Sequence, residues 1–224
     1  MSAKAESELG GQMLFAAGSV RDISVHAIKL CGLTWSGQSL WFSDAVTNRI
    51  MALDPQTGEV TRRIPCPGVR GDLTTIDGYL IQVVGDDMTL RVIDPDTEAI
   101  VQEVPNPRPG HLLCGLEATH DGMWLGFEDL RVMDLRRTGG AGLIDCFPIA
   151  HPVAGLTVSD RYLFYADRHG GIIHVMDLAL RREVAAIDVN GNPTGITWDG
   201  SQIWYCDYAT LQLRAIEVPG ILTW

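Results

Sequence analysis

The chain has 224 residues, of which 46% are hydrophobic, and it carries a formal net charge of −11 at pH 7. This length and composition suffice for one domain with a sizeable core. No apolar run approaches the roughly 18 residues that cross a membrane, and the acidic balance argues against nucleic acids or anionic lipids as partners. We therefore expect neither nucleic-acid nor membrane binding.

The N-terminus lacks the basic-then-apolar pattern of a secretory signal. We predict a flexible lead-in over residues 1–19 and a single domain over residues 20–224. The five cysteines are an odd number with no CxxC pair and no zinc-type spacing. This usage favours reduced thiols in a cytoplasmic protein over a disulfide framework.

From residue 32 onward the chain repeats one unit five times. "GLTWSGQSLWFSD" begins at Gly32 and "GITWDGSQIWYCD" at Gly195, and weaker copies begin at Asp72, Gly115 and Gly155, in steps of 40, 43, 40 and 40 residues. Each copy reads as an apolar strand, a hairpin turn such as Asp-Gly, and a second apolar strand. A third and a fourth strand follow. Four short strands at this period predict an all-β fold, a five-bladed β-propeller with four antiparallel strands per blade.

The last copy ends after its third strand. The segment "DISVHAIKL" over residues 22–30 supplies a missing fourth strand at the other end of the chain. We predict that the strand over residues 24–30 pairs with residues 213–217. A ring closed by the N-terminal strand leaves no open sheet edge at the junction.

The segment "GLTWSGQSLWFSDAVTNRIMALDPQTGEV" over residues 32–60 resembles the blades of non-WD propellers. The groups it resembles are the streptogramin lyases, the SMP-30-like lactonases and the five-bladed glutaminyl cyclotransferases. The "FTQGL" opening of the cyclotransferases is absent. The resemblance implies an enzyme acting on a small molecule, with a divalent metal in the channel of some members, or a propeller that only binds or scaffolds. Fold alone does not choose between these outcomes.

Two positions depart from the repeat toward a charge. Glu117 stands where the other four units have Thr34, Thr74, Thr157 and Thr197, and Asp72 stands where the others have glycine. Both lie on innermost strands, beside the central channel. A buried carboxylate is costly unless it is paired. Glu117 is therefore either a cap for a buried arginine or amide, or a functional acid.

Loop spacing singles out blade 3. Counting its third strand from Leu130 makes the preceding loop three residues shorter than in the other blades, and the connection into the blade is longer and carries Arg108 and His111. We expect a notch in the channel mouth over blade 3. The ligand pocket would then lie off-axis, toward blades 3 and 4, with Phe127 as an apolar wall.

The predicted catalytic set is Glu117, His111 and His151. Glu117 would be the general acid or base, and the histidines would shuttle protons or join Glu117 as ligands to Mg²⁺, Ca²⁺ or Mn²⁺. No nucleotide or flavin motif is present. The residues assigned to substrate binding are Arg70, Asp72, Arg108, Phe127, His169, Asn192 and Tyr208.

Other polar positions are assigned to structure. Three aspartates that end second strands are expected to accept amide hydrogen bonds from the loops that follow them. They are Asp44, Asp167 and Asp207. Three histidines, His26, His120 and His174, are likewise interpreted as structural.

These observations favour an enzyme that acts on a small molecule at the mouth of the channel, as a lyase, cyclising transferase or hydrolase. The alternative is a non-catalytic binding or scaffold module, which predicts Glu117 in a salt bridge and a plugged mouth. A thiol enzyme using Cys31 and Cys114, which share one column of the repeat, is the third hypothesis. The substrate and the oligomeric state stay open.

Overall fold

The computed structural model describes residues 5–9, 12–138, 142–189, 191–220 and 222, with side chains from residue 12 onward. This part of the chain forms 22 β-strands. It contains no helix with the length and apolar character needed to traverse a bilayer.

The strands assemble into five sheets arranged as a ring of blades, which confirms the predicted all-β five-bladed propeller. The N-terminal strands are β1 (Ala5–Leu9), β2 (Gln12–Ala16) and β3 (Arg21–Ser24). Blade 1 contains β4 (Leu30–Ser36), β5 (Ser39–Asp44), β6 (Arg49–Leu53) and β7 (Val60–Pro65). Blade 2 contains β8 (Val69–Ile76), β9 (Tyr79–Val84), β10 (Thr89–Ile93) and β11 (Ile100–Val104).

The remaining blades repeat the same order. Blade 3 contains β12 (Leu113–Thr119), β13 (Gly122–Phe127), β14 (Val132–Arg136) and β15 (Leu143–Pro148). Blade 4 contains β16 (Leu156–Val158), β17 (Tyr162–Asp167), β18 (Ile172–Asp177) and β19 (Arg182–Asp188). Blade 5 contains β20 (Pro193–Trp198), β21 (Ile203–Asp207) and β22 (Gln212–Ile216), completed by β3.

The ring closes through the N-terminal strand, as predicted. Strand β3 pairs antiparallel with β22, with Ser24 opposite Gln212 and Arg21 opposite Ala215. The closing strand lies earlier than the predicted 24–30, because residues 25–29 form the connection that leads into β4.

Blade 4 is wider than the repeat predicts. Strand β2 adds to β19 in parallel, from Met13 opposite Ala185 to Ala16 opposite Asp188, and β1 pairs antiparallel with β2. The Phe15 side chain is buried in the blade core. Residues 12–16, predicted as part of a flexible lead-in, are therefore a strand of the sheet.

The predicted shortening of a loop in blade 3 is wrong. Phe127 pairs with Val132, just as Asp44 pairs with Arg49 in blade 1, so both blades have four loop residues between these strands. The segment "LRVMD" imitates the third-strand motif of other blades, but the strand begins at Val132, two residues after Leu130. Asp134, which looks like a turn acid in the sequence, is consequently buried in the middle of β14.

The longer connection into blade 3 is confirmed. It spans residues 105–112, whereas residues 66–68 suffice between blades 1 and 2. Blade 3 therefore differs from the others in this connection, while its second-to-third-strand loop follows the common pattern.

The core consists of five apolar layers, one between each pair of neighbouring blades. Trp41, Trp124 and Trp204 are buried in these layers, so they are packing residues. Near the axis the first strands approach so closely that a Cβ on Gly32 would lie 2.3 Å from the amide nitrogen of Leu73. This close approach explains the glycine column of the repeat.

Candidate functional site at the channel mouth

A cavity of about 220 Å³ lies on the axis at the mouth of the channel. All five blades contribute to its lining, and its walls are Lys29, Leu30, Cys31, Arg70, Gly71, Met88, Leu112, Cys114, Glu128, Ala154, Arg168, Thr194 and Tyr208. The expectation of an off-axis pocket followed from the miscounted loop. The mouth cavity is central instead, because the second-to-third-strand loop of blade 3 is as long as that of blade 1.

Charged groups from four blades face this cavity. Lys29, Arg70 and Arg168 supply positive charge, and Glu128 supplies a carboxylate. Arg168 lies over the ring of Tyr208, with its Cζ atom 5.3 Å from the ring centroid. In a chain of net charge −11, three cations around one concave site make a local field that attracts anions.

Asp72 lies on the channel axis below the cavity and is fully buried. Its Oδ1 atom accepts hydrogen bonds from the amides of Leu73 and Leu33, and its Oδ2 atom accepts from those of Leu116 and Leu156. The four donors belong to blades 2, 1, 3 and 4. Burial raises the pKa of Asp72, while these amides act in the opposite direction. Asp72 was predicted to bind substrate, but its oxygens instead fasten the first strands together.

Glu117 lies two residues further along its strand than the Asp72 column, or about 6.5 Å deeper in the channel. Thr74 donates a hydroxyl hydrogen bond of 3.0 Å to Oε2, and Thr157 donates one of 3.3 Å to Oε1. Burial raises the pKa of Glu117 to about 8, against the lowering effect of these two bonds. Asp72 stands between this acid and the mouth cavity.

The predicted catalytic set is not brought together. His111 lies on the connection into blade 3, and its Nδ1 atom is 2.8 Å from a carboxylate oxygen of Asp129. Burial raises the pKa of Asp129, but the hydrogen bond with His111 acts in the opposite direction, and the pKa lies below its usual value. His151 lies beside His174 and Glu183 instead. Glu117, His111 and His151 are thus three separate sites in the described structure, and they do not form a shared metal-binding group.

Arg108 was predicted to orient a substrate, but its guanidinium is already engaged. It donates two hydrogen bonds of 2.9 and 2.8 Å to the carboxylate of Asp134 and lies over the ring of Phe127. Arg136 donates to the same carboxylate. Burial raises the pKa of Asp134, but the hydrogen bonds from Arg108 act in the opposite direction, and the pKa lies below its usual value. Phe127, predicted as a pocket wall, is completely buried in the layer between blades 2 and 3.

The other predicted binding residues lie on the rim. Arg70 and Tyr208 line the mouth cavity, and Arg70 also pairs with Asp86 at 2.9 Å. His169 is exposed and contacts Arg168. Asn192 does not line the cavity, but its side-chain amide donates to the backbone oxygen of Arg168 and so positions that residue.

The structural interpretation of the three strand-ending aspartates is confirmed. Asp44 accepts from the amides of Ile28, Lys29 and Val46, and therefore fixes the connection that carries Lys29. Asp207 accepts from the amides of Asn192 and Ala209, and Asp167 accepts from those of His169 and Gly170 in the loop that follows it. These carboxylates hold the rim in place.

The thiols at the mouth are not activated. Burial raises the pKa of Cys31 to about 11, and burial also raises that of Cys114, whose Sγ donates to Glu128 at 3.4 Å. A nucleophilic cysteine needs a lowered pKa. The thiol-enzyme hypothesis loses its support.

A second group of polar side chains lies between blades 3 and 4. His174, assigned to structure from the sequence, is buried and stacks on His151, with the ring centroids 4.0 Å apart. Burial lowers the pKa of His174 to about 4, and the neighbouring His151 adds to this effect. Nothing in the repeat marks this group, because its members occupy different positions of the blade and no shared column sets them apart.

Three charged residues of the mouth were missed by the sequence interpretation, namely Lys29, Glu128 and Arg168. Glu128 is the acid among them. It follows directly after β13, at the position where blade 1 has Ala45 and blade 5 has Tyr208. The same position holds Gly85 in blade 2 and Arg168 in blade 4. Because the five residues of this column share no type, the repeat does not mark Glu128 as it marks Glu117.

The resemblance inferred from the repeat is confirmed at the level of fold. Glutaminyl cyclase from Myxococcus xanthus superimposes with a TM-score of 0.76 at 13% identity, covering 92% of this chain and 97% of that one. The calcium-binding protein regucalcin from Agrobacterium tumefaciens gives 0.64 at 13% identity, covering 92% and 96%. A catalytically inactive histidine-to-alanine variant of virginiamycin B lyase from Staphylococcus aureus, solved with quinupristin, gives 0.54 at 19% identity, covering 84% and 66%.

No family model matches the sequence, and no curated protein shows significant sequence similarity to it. The structural neighbours include enzymes of different kinds on one scaffold. At these identities the likeness supports the β-propeller fold, whose five blades are seen in this chain's own sheets, and the chemistry has to be argued from the site.

Proposed function

We propose that this protein is an enzyme that acts on a small anionic molecule in the mouth cavity by acid–base chemistry. The observation that carries the proposal is the convergence of Lys29, Arg70 and Arg168 with Glu128 on one axial cavity. Ligand sites combine apolar walls with a few polar groups that converge. Here Leu30, Met88 and Leu112 provide the walls.

The size of the cavity limits the ligand. At about 220 Å³ it lies below the roughly 300–1,000 Å³ of pockets for drug-sized molecules. A metabolite-sized carboxylate or phosphate matches both this volume and the positive rim. Arg168 is well placed to bind the anion, because Tyr208 supports its guanidinium from one side and Asn192 fixes its backbone from the other.

Glu128 is the proposed general acid or base. Its carboxylate faces the cavity, and the Cys114 thiol donates a hydrogen bond to it, which restricts its orientation. The cations around it would stabilise negative charge that develops on the substrate. The reaction class is a lyase, a cyclising transferase or a hydrolase. The earlier assignment of this role to Glu117 stays a prediction, and the experiment below tests both residues.

Non-catalytic binding is the second hypothesis. It predicted Glu117 in a salt bridge and a plugged mouth, whereas the described structure has Glu117 bonded to two threonine hydroxyls and a cavity at the mouth.

The five free thiols agree with the proposed cytoplasmic location.

The proposal is tested with a panel of small carboxylates, lactones and phosphate esters, first by thermal shift and then by NMR detection of products. Glu128→Gln should abolish turnover and keep binding, and Arg168→Ala should weaken binding. Glu117→Gln is the matched control and should keep turnover. Loss of turnover in Glu117→Gln alone would restore the sequence-based assignment. If no compound binds, or if Arg168→Ala binds as wild type does, the proposal fails.

A further inference from the structure

The histidine group between blades 3 and 4 has the composition of a metal site. His151, Asp167 and His174 each offer a ligand atom, and these atoms lie within 4.8 Å of one another. It is the one such group of three in the described part of the chain. The members lie on the connection into blade 4, at the end of β17 and in β18, and the pairing of these two strands brings Asp167 close to His174.

His174 is the residue that requires explanation. Its side chain is 4% exposed, and neither ring nitrogen has a hydrogen-bond partner among the described residues. Buried polar atoms in native proteins nearly always have a partner, so an orphaned pair indicates an unseen water or ion. The nearest acceptor, an oxygen of Glu183, lies 3.6 Å from Nδ1.

Asp167 is held so that one oxygen remains available. In the described structure, the loop amides of His169 and Gly170 both donate to Oδ1, which leaves Oδ2 for a ligand. Asp167 and His174 therefore form a rigid pair, since both sit on paired strands.

His151 is the adjustable member. Its side chain is 43% exposed, and it lies in the connection before β16. Its ring now stacks on that of His174 with an angle of 7° between the planes. A metal ion binds in the plane of an imidazole, so the His151 ring has to turn out of this stack for both nitrogens to reach one ion. A surface connection permits that rotation without disturbing the core.

Glu183 lies next to both histidines of the group. The Tyr165 hydroxyl and the Gln12 side-chain amide donate to its carboxylate, and both histidines lie within 3.7 Å of it. Burial raises the pKa of Glu183, but the hydrogen bonds from Tyr165 and Gln12 outweigh it, and the pKa is lowered. A carboxylate behind a ligating histidine is the usual means of orienting the ring.

We propose that His151, Asp167 and His174 bind a divalent transition-metal ion, with Zn²⁺ as the best match, and that Glu183 orients the two imidazoles. Two histidines and one carboxylate are a common Zn²⁺ set that leaves a fourth position for water. Such an ion would tie the connection that carries Ala154, a wall of the mouth cavity, to the rigid strands of blade 4. This site is separate from the proposed catalysis at the mouth.

Metal binding is tested on the full chain after chelator treatment and dialysis. Titration with Co²⁺ should give one equivalent bound, with the visible absorption bands of a low-coordinate nitrogen–oxygen site, and Zn²⁺ should displace it. His151→Ala should bind Co²⁺ more than about 10-fold more weakly, because second-sphere changes alone cost 10–100-fold. His151 is half-exposed and lies on a surface connection, so the variant should keep the metal-free melting temperature of the wild type.

His111→Ala is the matched control, since it removes another half-exposed histidine that is paired with a carboxylate at the mouth face. It should bind Co²⁺ as the wild type does. Failure of the wild type to bind one equivalent, or equal affinity in His151→Ala, would overturn the proposal. Equal loss in both variants would do the same, because it would indicate adventitious surface binding.

Discussion

Asp72 and Glu117 are both acids at positions where the other copies of the repeat have no charge. They lie on the first strands of neighbouring blades, and Glu117 is two strand positions further from the channel mouth. Asp72 is bonded to four backbone amides from four blades. Glu117 is bonded to two threonine hydroxyls. The same sequence signal therefore marks an acid that joins the backbones of four blades in one case and an acid held only by two side chains in the other. The hydrogen-bond donors around an acid, and not its rarity in the repeat, indicate its role.

The largest loss of stability is expected from removing β3, the strand that closes the ring. The loss caused by removing the Asp72 carboxylate, which joins the first strands, can be compared with it. Deleting residues 1–24 removes β3 and uncovers Leu213 and Ala215, which are buried in the layer between blades 5 and 1. The truncated protein should aggregate. Deleting only residues 1–11 keeps β2 and β3 and should leave the protein soluble. Size-exclusion chromatography checks both, and a soluble, cooperatively folded 25–224 protein would refute closure by β3.

The next largest effect is expected at Asp72. Asp72→Gly, which copies the other blades, strands four buried amides at about 1–3 kcal/mol each, so we expect a loss of at least about 4 kcal/mol in the free energy of unfolding. Asp72→Asn keeps one carbonyl oxygen and should lose less. Urea unfolding measures both. Stability equal to wild type in Asp72→Gly would show that the amides are satisfied without the carboxylate, and the comparison with Glu117 would collapse.

Two arginines with the same predicted role provide an independent comparison of buried and exposed charge. Arg108→Ala leaves buried Asp134 with Arg136 as its remaining arginine partner, and we expect a loss of about 2–3 kcal/mol. Arg70→Ala breaks an exposed pair with Asp86 and should cost less than about 1 kcal/mol. Thermal and urea unfolding at pH 7 test this order. If the two losses are equal, burial of Asp134 is not the controlling factor.

The effect expected at Glu117 depends on pH. Its pKa of about 8 in the folded protein lies above the roughly 4.3 of an unfolded chain, so the fold favours the protonated acid. Its contribution to stability is complete below about pH 4.3 and is lost as the pH rises toward 8. Glu117→Gln should remove this slope and raise the melting temperature above that of the wild type at pH 9, where the wild-type acid is ionised.

Melting curves from pH 5 to 9 measure the Glu117 effect, and Glu128→Gln serves as the control on the same channel. Parallel pH profiles for wild type and Glu117→Gln would contradict the raised pKa.

The sequence by itself determined the fold. The 40-residue period, the hairpin turns and the missing last strand are local patterns, and the five blades and the closure by the N-terminal segment follow from them. Lengths of connections between blades were also readable, as residues 105–112 show. Such features depend on the order of residues along one strand or turn, which the sequence gives directly.

Only the tertiary structure decided the register of blade 3 and the membership of the sites. "LRVMD" fits the third-strand motif in two registers, and pairing of Phe127 with Val132 selects the one that buries Asp134 beneath two arginines. His151 reaches Asp167 and His174 through the path of the connection into blade 4, which the repeat does not specify. Glu128 joins Lys29 and Arg168 only around the closed ring. A repeat specifies contacts within a blade, whereas contacts across the channel and between blades depend on how the ring closes.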